Sequence, residues 1–410
     1  MSAPATPSSD TSYYSSALQS RSSSSSPSAY SRDSSPFSSP YPSTSPSAIE
    51  GWAAACSPRV LTNELIARGA DELQTLVRLR ERELKESKHR KPSYAEHEKK
   101  VAANASARKN RYWFSKMKAV LGELDAQTAT ISRRGTLRFL DLGCCPGGFT
   151  SYILSKNLDA QGLGISSEIE NGGHRFLLED RHRSRFKVHY ADLSFYRLGP
   201  LPVSVSAPET TAKSLSPLPF DPSKRFDVVL LDGHQLHRQP PPGNWDRLLV
   251  SQIIIGLQAA KKGGTLIIKL ADAEHVNTAK LLYMFDIISA SLETFKPRYM
   301  HATWSTFYAV VKGVGEGRGA ARLPALVESF KELWVDLTLG FAGAESAGRV
   351  LVDEDLDFVV STAEIREAKN LDRLVDLNRR IWEIQAGALA DEKDPARACQ
   401  AEDPFIVERP

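Results

Sequence analysis

Between residues 138 and 313, short runs rich in Val, Ile, Leu and Phe alternate with longer stretches of helical periodicity. This alternation limits the fold more than any other feature of the chain. The apolar runs fall at 137–142, 162–166, 186–190, 226–231 and 265–270, with two more at 295–301 and 305–312. Strands joined by helix-length connections pair in parallel and need helices on both faces, so an α/β fold is expected. The last two runs are too close for a crossover and predict an antiparallel hairpin at the sheet edge. Seven strands in a Rossmann-like arrangement follow.

The flanks differ in character. Residues 1–55 are dominated by Ser, Pro, Ala and Tyr and predict a disordered tail, because they carry too little apolar surface to offset chain entropy. Ser-Pro steps at Ser26, Ser35, Ser39 and Ser45 suit proline-directed phosphorylation. Residues 56–109 predict a basic helical extension, with Leu61, Leu65, Leu73, Leu76, Val77 and Leu84 at roughly helical spacing. From Arg78 to Lys118 there are 14 Lys or Arg against 5 Glu, which suits an anionic partner, although such a run also serves as a solvated helix face. The sheet-forming segment spans 110–315 and contains a Pro- and Ser-rich insertion at 199–224, expected to be flexible. Residues 316–410 form a helical extension, with Leu371, Leu374, Val375, Asn378, Ile381 and Trp382 on one face.

The four cysteines, Cys56, Cys144, Cys145 and Cys399, lack CxxC spacing, so no metal site is expected and a reducing compartment is. No apolar run is long enough for a membrane span. The expected setting is intracellular, nucleus or cytoplasm rather than mitochondrion, because only two arginines occur in the first 50 residues.

The first strand runs into Arg138-Phe-Leu-Asp-Leu-Gly-Cys-Cys-Pro-Gly-Gly-Phe-Thr150. Glycines let a backbone turn sharply and approach a ligand closely, and the amides of the following helix can hold a carboxylate. Ligands of such sheets sit beyond the C-terminal strand ends at the switch point. The dinucleotide pattern Gly-x-Gly-x-x-Gly would need glycine at Cys145, which argues against a nicotinamide enzyme. Asp-Leu-Gly-x-x-Pro-Gly-Gly followed by an aromatic residue resembles the first motif of the FtsJ/RrmJ family, the RNA ribose 2′-O-methyltransferases. The resemblance runs from about Arg111 to Gly313. It implies a seven-stranded methyltransferase sheet, with S-adenosyl-L-methionine (SAM) held by Asp141, Gly143, Cys144, Pro146, Gly147, Gly148 and Phe149. The family often has an acid at the end of the second strand, where this chain has Ser166, with Glu168 nearby. Asp192 resembles the family's adenine-contacting acid, and a helix N-cap is its competing reading.

The family uses a Lys-Asp-Lys-Glu tetrad. Methyl transfer to a hydroxyl needs alignment and a group that takes or steers the leaving proton. Asp232, ending Phe226-Asp-Val-Val-Leu-Leu-Asp232, and Lys269, ending Gly263-Gly-Thr-Leu-Ile-Ile-Lys269, match two members. Asp232 also faces the cofactor crevice. In Arg111-Tyr-Trp-Phe-Ser-Lys116 the first lysine's place falls on Ser115, so Lys116 or Lys118 takes that role only with a shifted register. Counting from Lys296-Pro297 puts Thr306 where the glutamate is expected.

Towards the substrate, Tyr112, Trp113 and Phe114 follow the basic stretch and suit base stacking or packing on the sheet. His234, His237 and Arg238 follow Asp232, and Arg298, His301 and Trp304 lie near the last hairpin. The expected partner is RNA, with rRNA, tRNA and mRNA cap not distinguished, and no membrane. The expected activity is ribose 2′-O-methylation by an enzyme whose tetrad is incomplete. Two other readings stay open: a catalytically impaired SAM- or RNA-binding protein, and a SAM methyltransferase with a non-RNA substrate.

Overall fold

Seven strands make one sheet in the order β3-β2-β1-β4-β5-β7-β6. They are β1 Leu137–Leu142, β2 Ala160–Ser166, β3 Phe186–Tyr190, β4 Phe226–Leu231, β5 Ala260–Leu270, β6 Ser289–Phe295 and β7 Phe307–Val314. Strands β1 to β5 pair in parallel, β6 runs in the same direction, and β7 inserts antiparallel between β5 and β6. The computed structural model describes residues 59–87, 107–169, 173–200, 215–221, 225–234, 244–339 and 349–392. The Ser-rich tail, residues 88–106 of the basic stretch, most of the insertion, His237 and Arg238 lie outside the described residues.

The central strands β1 and β4 are mostly apolar and buried because both faces are covered, as in parallel sheets generally. Among the described residues the α-helices longer than one turn are α1 Val60–Ala67, α2 Asp71–Ser87, α3 Ala107–Thr128, α4 Gly148–Lys156, α5 Asn244–Ala259, α6 Val276–Ile288, α7 Leu323–Leu339 and α8 Ala368–Glu392. None of the described helices is long and apolar enough to cross a membrane.

The sixth strand is Ser289–Phe295, not 295–301. Only Ser289, Leu292 and Phe295 of it are buried, which hides it in the sequence. Pro297 has no amide to give a ladder, and His301 sits at φ 68°, so 298–305 turns away as a loop. At the end of the insertion, Leu215 is buried and Ser216 bridges to Tyr196, so this part is seated on the core rather than flexible.

The two helical extensions are one structure. Leu61, Leu65, Leu73 and Leu76 share a continuous apolar cluster with Leu371, Leu374, Ile381 and Trp382 and with the sheet. Gly69, at φ 88°, ends α1, and Asp71 and Glu72 open α2, where the helix dipole favours acids. Arg379 meets Glu72 at 2.8 Å, Arg366 meets Glu64 at 2.5 Å, and Arg68 meets Asp372 at 3.2 Å. Such exposed pairs are screened by solvent and contribute little, so buried leucines do most of the holding.

Candidate active site

The chain reverses direction across the sheet between β1 and β4, and the C-terminal ends of those strands open the site. Gly143 follows β1 at φ 87°, and its amide donates to the Ile165 carbonyl at 2.8 Å. A Cβ on Gly143 would lie 2.6 Å from the backbone of Gly233, just beyond β4. The Gly233 peptide is held from α5, where Gln252 Oε1 accepts its amide at 2.8 Å and Gln252 Nε2 donates to its carbonyl at 3.0 Å.

The turn after Gly143 contains a cis Cys145–Pro146 peptide and Gly147 at φ 109°. The Pro146 carbonyl accepts the Leu177 amide at 2.9 Å, and the Phe176 ring packs against Gly147. Helix α4 then begins without a side-chain cap. Gly148 does not open space for a ligand on its Cβ side, because the α3 backbone lies there: a Cβ would meet Phe114 O at 2.5 Å. Cys144 and Cys145 are both free and buried; burial pushes the Cys144 thiol well up, while the hydrogen bond from Cys144 holds the Cys145 thiol below its ordinary range, and methyl transfer to oxygen uses neither. The Cys145 amide donates to Ser166 Oγ at 3.4 Å. Glu168 is exposed. Asp192 caps a short 3₁₀ turn by accepting the Ser194 amide at 2.8 Å, the competing reading of that residue.

Asp141 is buried beneath the loop. Its Oδ2 accepts the Thr150 hydroxyl at 2.7 Å, and its Oδ1 has no partner. Burial drives the Asp141 carboxyl up to about 7, against the Thr150 hydrogen bond and with help from the nearby Asp232 charge. The unfolded carboxyl titrates near 3.8, so between roughly pH 4 and 7 the folded state binds the extra proton and stability falls as pH rises. Asp141→Asn removes that loss. Relative to wild type it gains up to about 1.4 kcal/mol per pH unit across the window. Urea unfolding at pH 5 and pH 7.5 checks this, and a wild-type-to-variant difference that ignores pH refutes it.

Next to this loop the two expected tetrad members meet. Lys269 Nζ lies 2.9 Å from Asp232 Oδ1 and donates to the Asp232 carbonyl at 3.3 Å. The Tyr308 hydroxyl donates to the same Oδ1 at 3.0 Å. Tyr308 is the cross-strand partner of Lys269 in the β5–β7 ladder, so register places both over Asp232. Asp232 is 2% exposed, which makes the cluster a desolvated one. Phe149 of α4 packs edge-on to Tyr308 at 6.0 Å and joins the glycine loop to the cluster. His234 Nδ1 sits 3.2 Å from the Asp232 carbonyl and 3.5 Å from Lys269 Nζ. Burial and the Lys269 charge push the His234 imidazole well below its ordinary range, so it is neutral. Burial, Lys269 and Lys296 bring His301 down to about 3.

The remaining predicted residues fall as follows. Lys116 lies over the Tyr112 ring, 5.4 Å from its centroid. Lys118 donates to Ser151 Oγ at 2.8 Å and Glu179 Oε1 at 3.1 Å, which ties α3 to α4. Trp113 is buried, the packing alternative for that aromatic. Thr306 precedes β7 with its hydroxyl buried and without a partner, and its carbonyl accepts Lys296 Nζ at 2.8 Å. Arg298 is exposed, its amide donating to Glu123 at 3.1 Å, and Trp304 tilts against the His301 ring at 5.5 Å. Tyr308, Gln252, Thr150 and Lys296 are polar members of the site that the residue pattern alone did not single out.

No curated protein matches the chain. Among solved structures, a protein of Plasmodium falciparum described as a ribosomal RNA methyltransferase aligns at 18% identity and TM-score 0.34, over 49% of this chain and 97% of its own. Human methyltransferase-like protein 13, solved with SAH, aligns at 13% identity and TM-score 0.33, over 56% and 96%. Likenesses of that size carry no argument about this chain. The family model described as FtsJ-like methyltransferase matches residues 116–314, which hold the glycine loop, Asp232, Lys269 and the whole sheet. Just under half of the chain is therefore an FtsJ-like methyltransferase domain, and its methyl donor is S-adenosyl-L-methionine.

Proposed function

We propose that this domain methylates a ribose 2′-hydroxyl of RNA, with Asp232 and Lys269 as the catalytic pair. The observation that carries the reading is the desolvated Lys269–Asp232–Tyr308 cluster beside the glycine loop. SAM binding alone needs no lysine paired to a buried carboxylate at the far side of the crevice.

The loop suits the cofactor. Helix α4 starts uncapped at Gly147, so its first-turn amides and dipole favour a carboxylate, and Asp141 supplies an acidic group with one unpartnered oxygen. We assign Gly147, Gly148 and Phe149 to the methionine end, and Ser166 and Asp192, at the ends of β2 and β3, to the adenosine end. When bound, SAM supplies an electrophilic methyl group on a sulfonium.

The chain's own task is to align the acceptor oxygen and receive its proton. Asp232 Oδ1 is shared between Lys269 and Tyr308, so the three enter as one hydrogen-bonded unit. That unit takes the hydroxyl proton, and the Lys269 charge stabilises the negative charge developing on the 2′-oxygen. Neutral His234 and His301 keep further positive charge out of the pocket. Thr306 in the glutamate's place favours a second reading, a SAM-binding protein with little turnover.

Chemistry separates the readings. RNA incubated with the protein and methyl-labelled SAM is hydrolysed in alkali, which cannot cleave next to a methylated 2′-oxygen. The expected result is label in alkali-resistant dinucleotides. Label on mononucleotides or on protein overturns the ribose assignment, and SAM binding without any transfer supports the second reading.

A further inference from the structure

Lys269 is the penultimate residue of β5, and the loop that follows, 271–275, carries a buried acid, Glu274. Its partners come from outside the FtsJ-like domain. Arg80 of α2 donates to Glu274 Oε1 at 2.5 Å, and Trp382 Nε1 of α8 donates to Glu274 Oε2 at 3.3 Å. Arg80 also donates to Gln385 Oε1 of α8 at 3.2 Å. Gln385 Nε2 donates in turn to the Thr303 carbonyl at 3.1 Å, in the loop between β6 and β7. The two loops meet where the Asp272 amide donates to the Ser305 carbonyl at 3.3 Å. Lys296, buried beneath them, donates to the Trp304 and Thr306 carbonyls.

This is a single polar chain from both extensions to the two loops that flank the catalytic strands. Leu270 pairs with Phe307, so 271–275 leaves β5 at the point where 298–306 enters β7. Lys269 and Tyr308 sit one residue inside that junction. Burial alone would raise the Glu274 carboxyl, and the Arg80 guanidinium with His275 overrides it, so Glu274 is a carboxylate held low. A metal ion at Asp272, Glu274 and His275, whose ligand atoms lie within 4.8 Å of one another, would have to displace Arg80 and Trp382 from Glu274. The site is built around a guanidinium instead. Buried ion pairs add little net stability compared with apolar packing, but breaking one strands a charge, so what such a pair supplies best is a fixed geometry.

We propose that Arg80, acting through Glu274 and Gln385, is a positioning residue for methyl transfer: the fused helical extensions hold the two acceptor-side loops in place around Lys269. The loop fixation stands by itself, and its consequence for RNA rests on the function proposed above.

Two readouts test it on the full chain. In Arg80→Met, amide hydrogen exchange in 271–275 and 299–306 is expected to rise ~10-fold or more, while 143–150 keeps its protection. With RNA as acceptor, kcat falls roughly 10- to 100-fold while the KM for SAM stays within about twofold, since a small displacement of an aligned group costs rate rather than cofactor affinity. Arg80→Lys recovers part of both, and Arg80→Met/Glu274→Gln recovers thermal stability without recovering kcat, which a purely structural role would not allow. Gln385→Ala strands no charge and serves if Arg80→Met does not fold, with faster exchange expected at 299–306 alone. Unchanged loop exchange in these variants overturns the positioning role whatever the acceptor is. Raised exchange in a protein that transfers nothing to RNA sustains the role and removes the ribose assignment.

Discussion

Lys269→Ala is expected to lower methyl transfer by about 10²- to 10⁴-fold, the range associated with one positioned proton-transfer group, and to leave SAM affinity within about twofold. The split follows from where the lysine sits. Its ammonium is committed to Asp232 Oδ1 and the Asp232 carbonyl, not to the glycine loop that carries the cofactor-binding amides. Asp232→Ala acts differently, because it strands a lysine that is only 14% exposed and deprives the Tyr308 hydroxyl of its acceptor. Breaking a buried pair from one side costs roughly 3–5 kcal/mol, so this variant loses stability as well as rate. The double variant Lys269→Ala/Asp232→Ala is expected to be no slower than the worse single one, since groups that act as a unit are lost together. Single-turnover rates with labelled SAM and calorimetry of SAM binding measure both halves. A Lys269→Ala protein that transfers at the wild-type rate would falsify the catalytic assignment.

The sequence made some parts of this arrangement legible for physical reasons. β1 and β4 fall where their apolar runs predicted them, because a central parallel strand is buried on both faces and is apolar along most of its length, and the edge strand β3 falls at its own run around buried Phe186. Asp232 and Lys269 stood out because a charged residue closing such a run has nowhere to go but the crevice. β6 was hidden by its Ser and Thr, and the Pro297 segment imitated it. Tyr308 was illegible for the opposite reason: inside Phe307–Val314 it reads as another core aromatic, and only the register Lys269↔Tyr308 shows where its hydroxyl points.

Arg80 illustrates a third limit. It lies in a run of arginines and glutamates on α2 whose pattern suits a solvated face, and most neighbours such as Arg82 and Glu83 are indeed exposed. Its burial depends on α8, whose Gln385 lies 305 residues further along the chain, folding back on it. Gln252 carried a faint signal, an amide set directly before Ile253-Ile254-Ile255, but its clamp on Gly233 is a tertiary fact. A long-range polar contact leaves no period in a sequence.

Gly148→Ala and Gly143→Ala should be strongly disruptive single-methyl additions at the glycine loop. A Cβ at 148 would stand 2.5 Å from Phe114 O, 2.6 Å from Met117 Cβ and 2.7 Å from Lys118 N, so α4 and α3 have to separate. Backbone cannot rotate out of the way as a side chain can, and overpacking of this kind costs ~3 kcal/mol or more. At 143 the clash is with Gly233, 2.6 Å away, and φ of 87° adds about 1–2 kcal/mol for a residue with a Cβ. Gly135 is the internal control: it has φ 82° but nothing within 4 Å, so Gly135→Ala carries only the conformational cost. The difference between the 143 and 135 variants in urea unfolding therefore isolates the β1–β4 backbone contact. Calorimetry with SAM then reads its functional side. A displaced Gly143–Gly233 contact shifts the mouth of the crevice and should weaken binding by at least tenfold, whereas Gly135→Ala leaves it alone. Equal unfolding energies for the two variants would mean that the strands tolerate a wider gap at the switch point, and that the glycine at 143 is there for its dihedral angle alone.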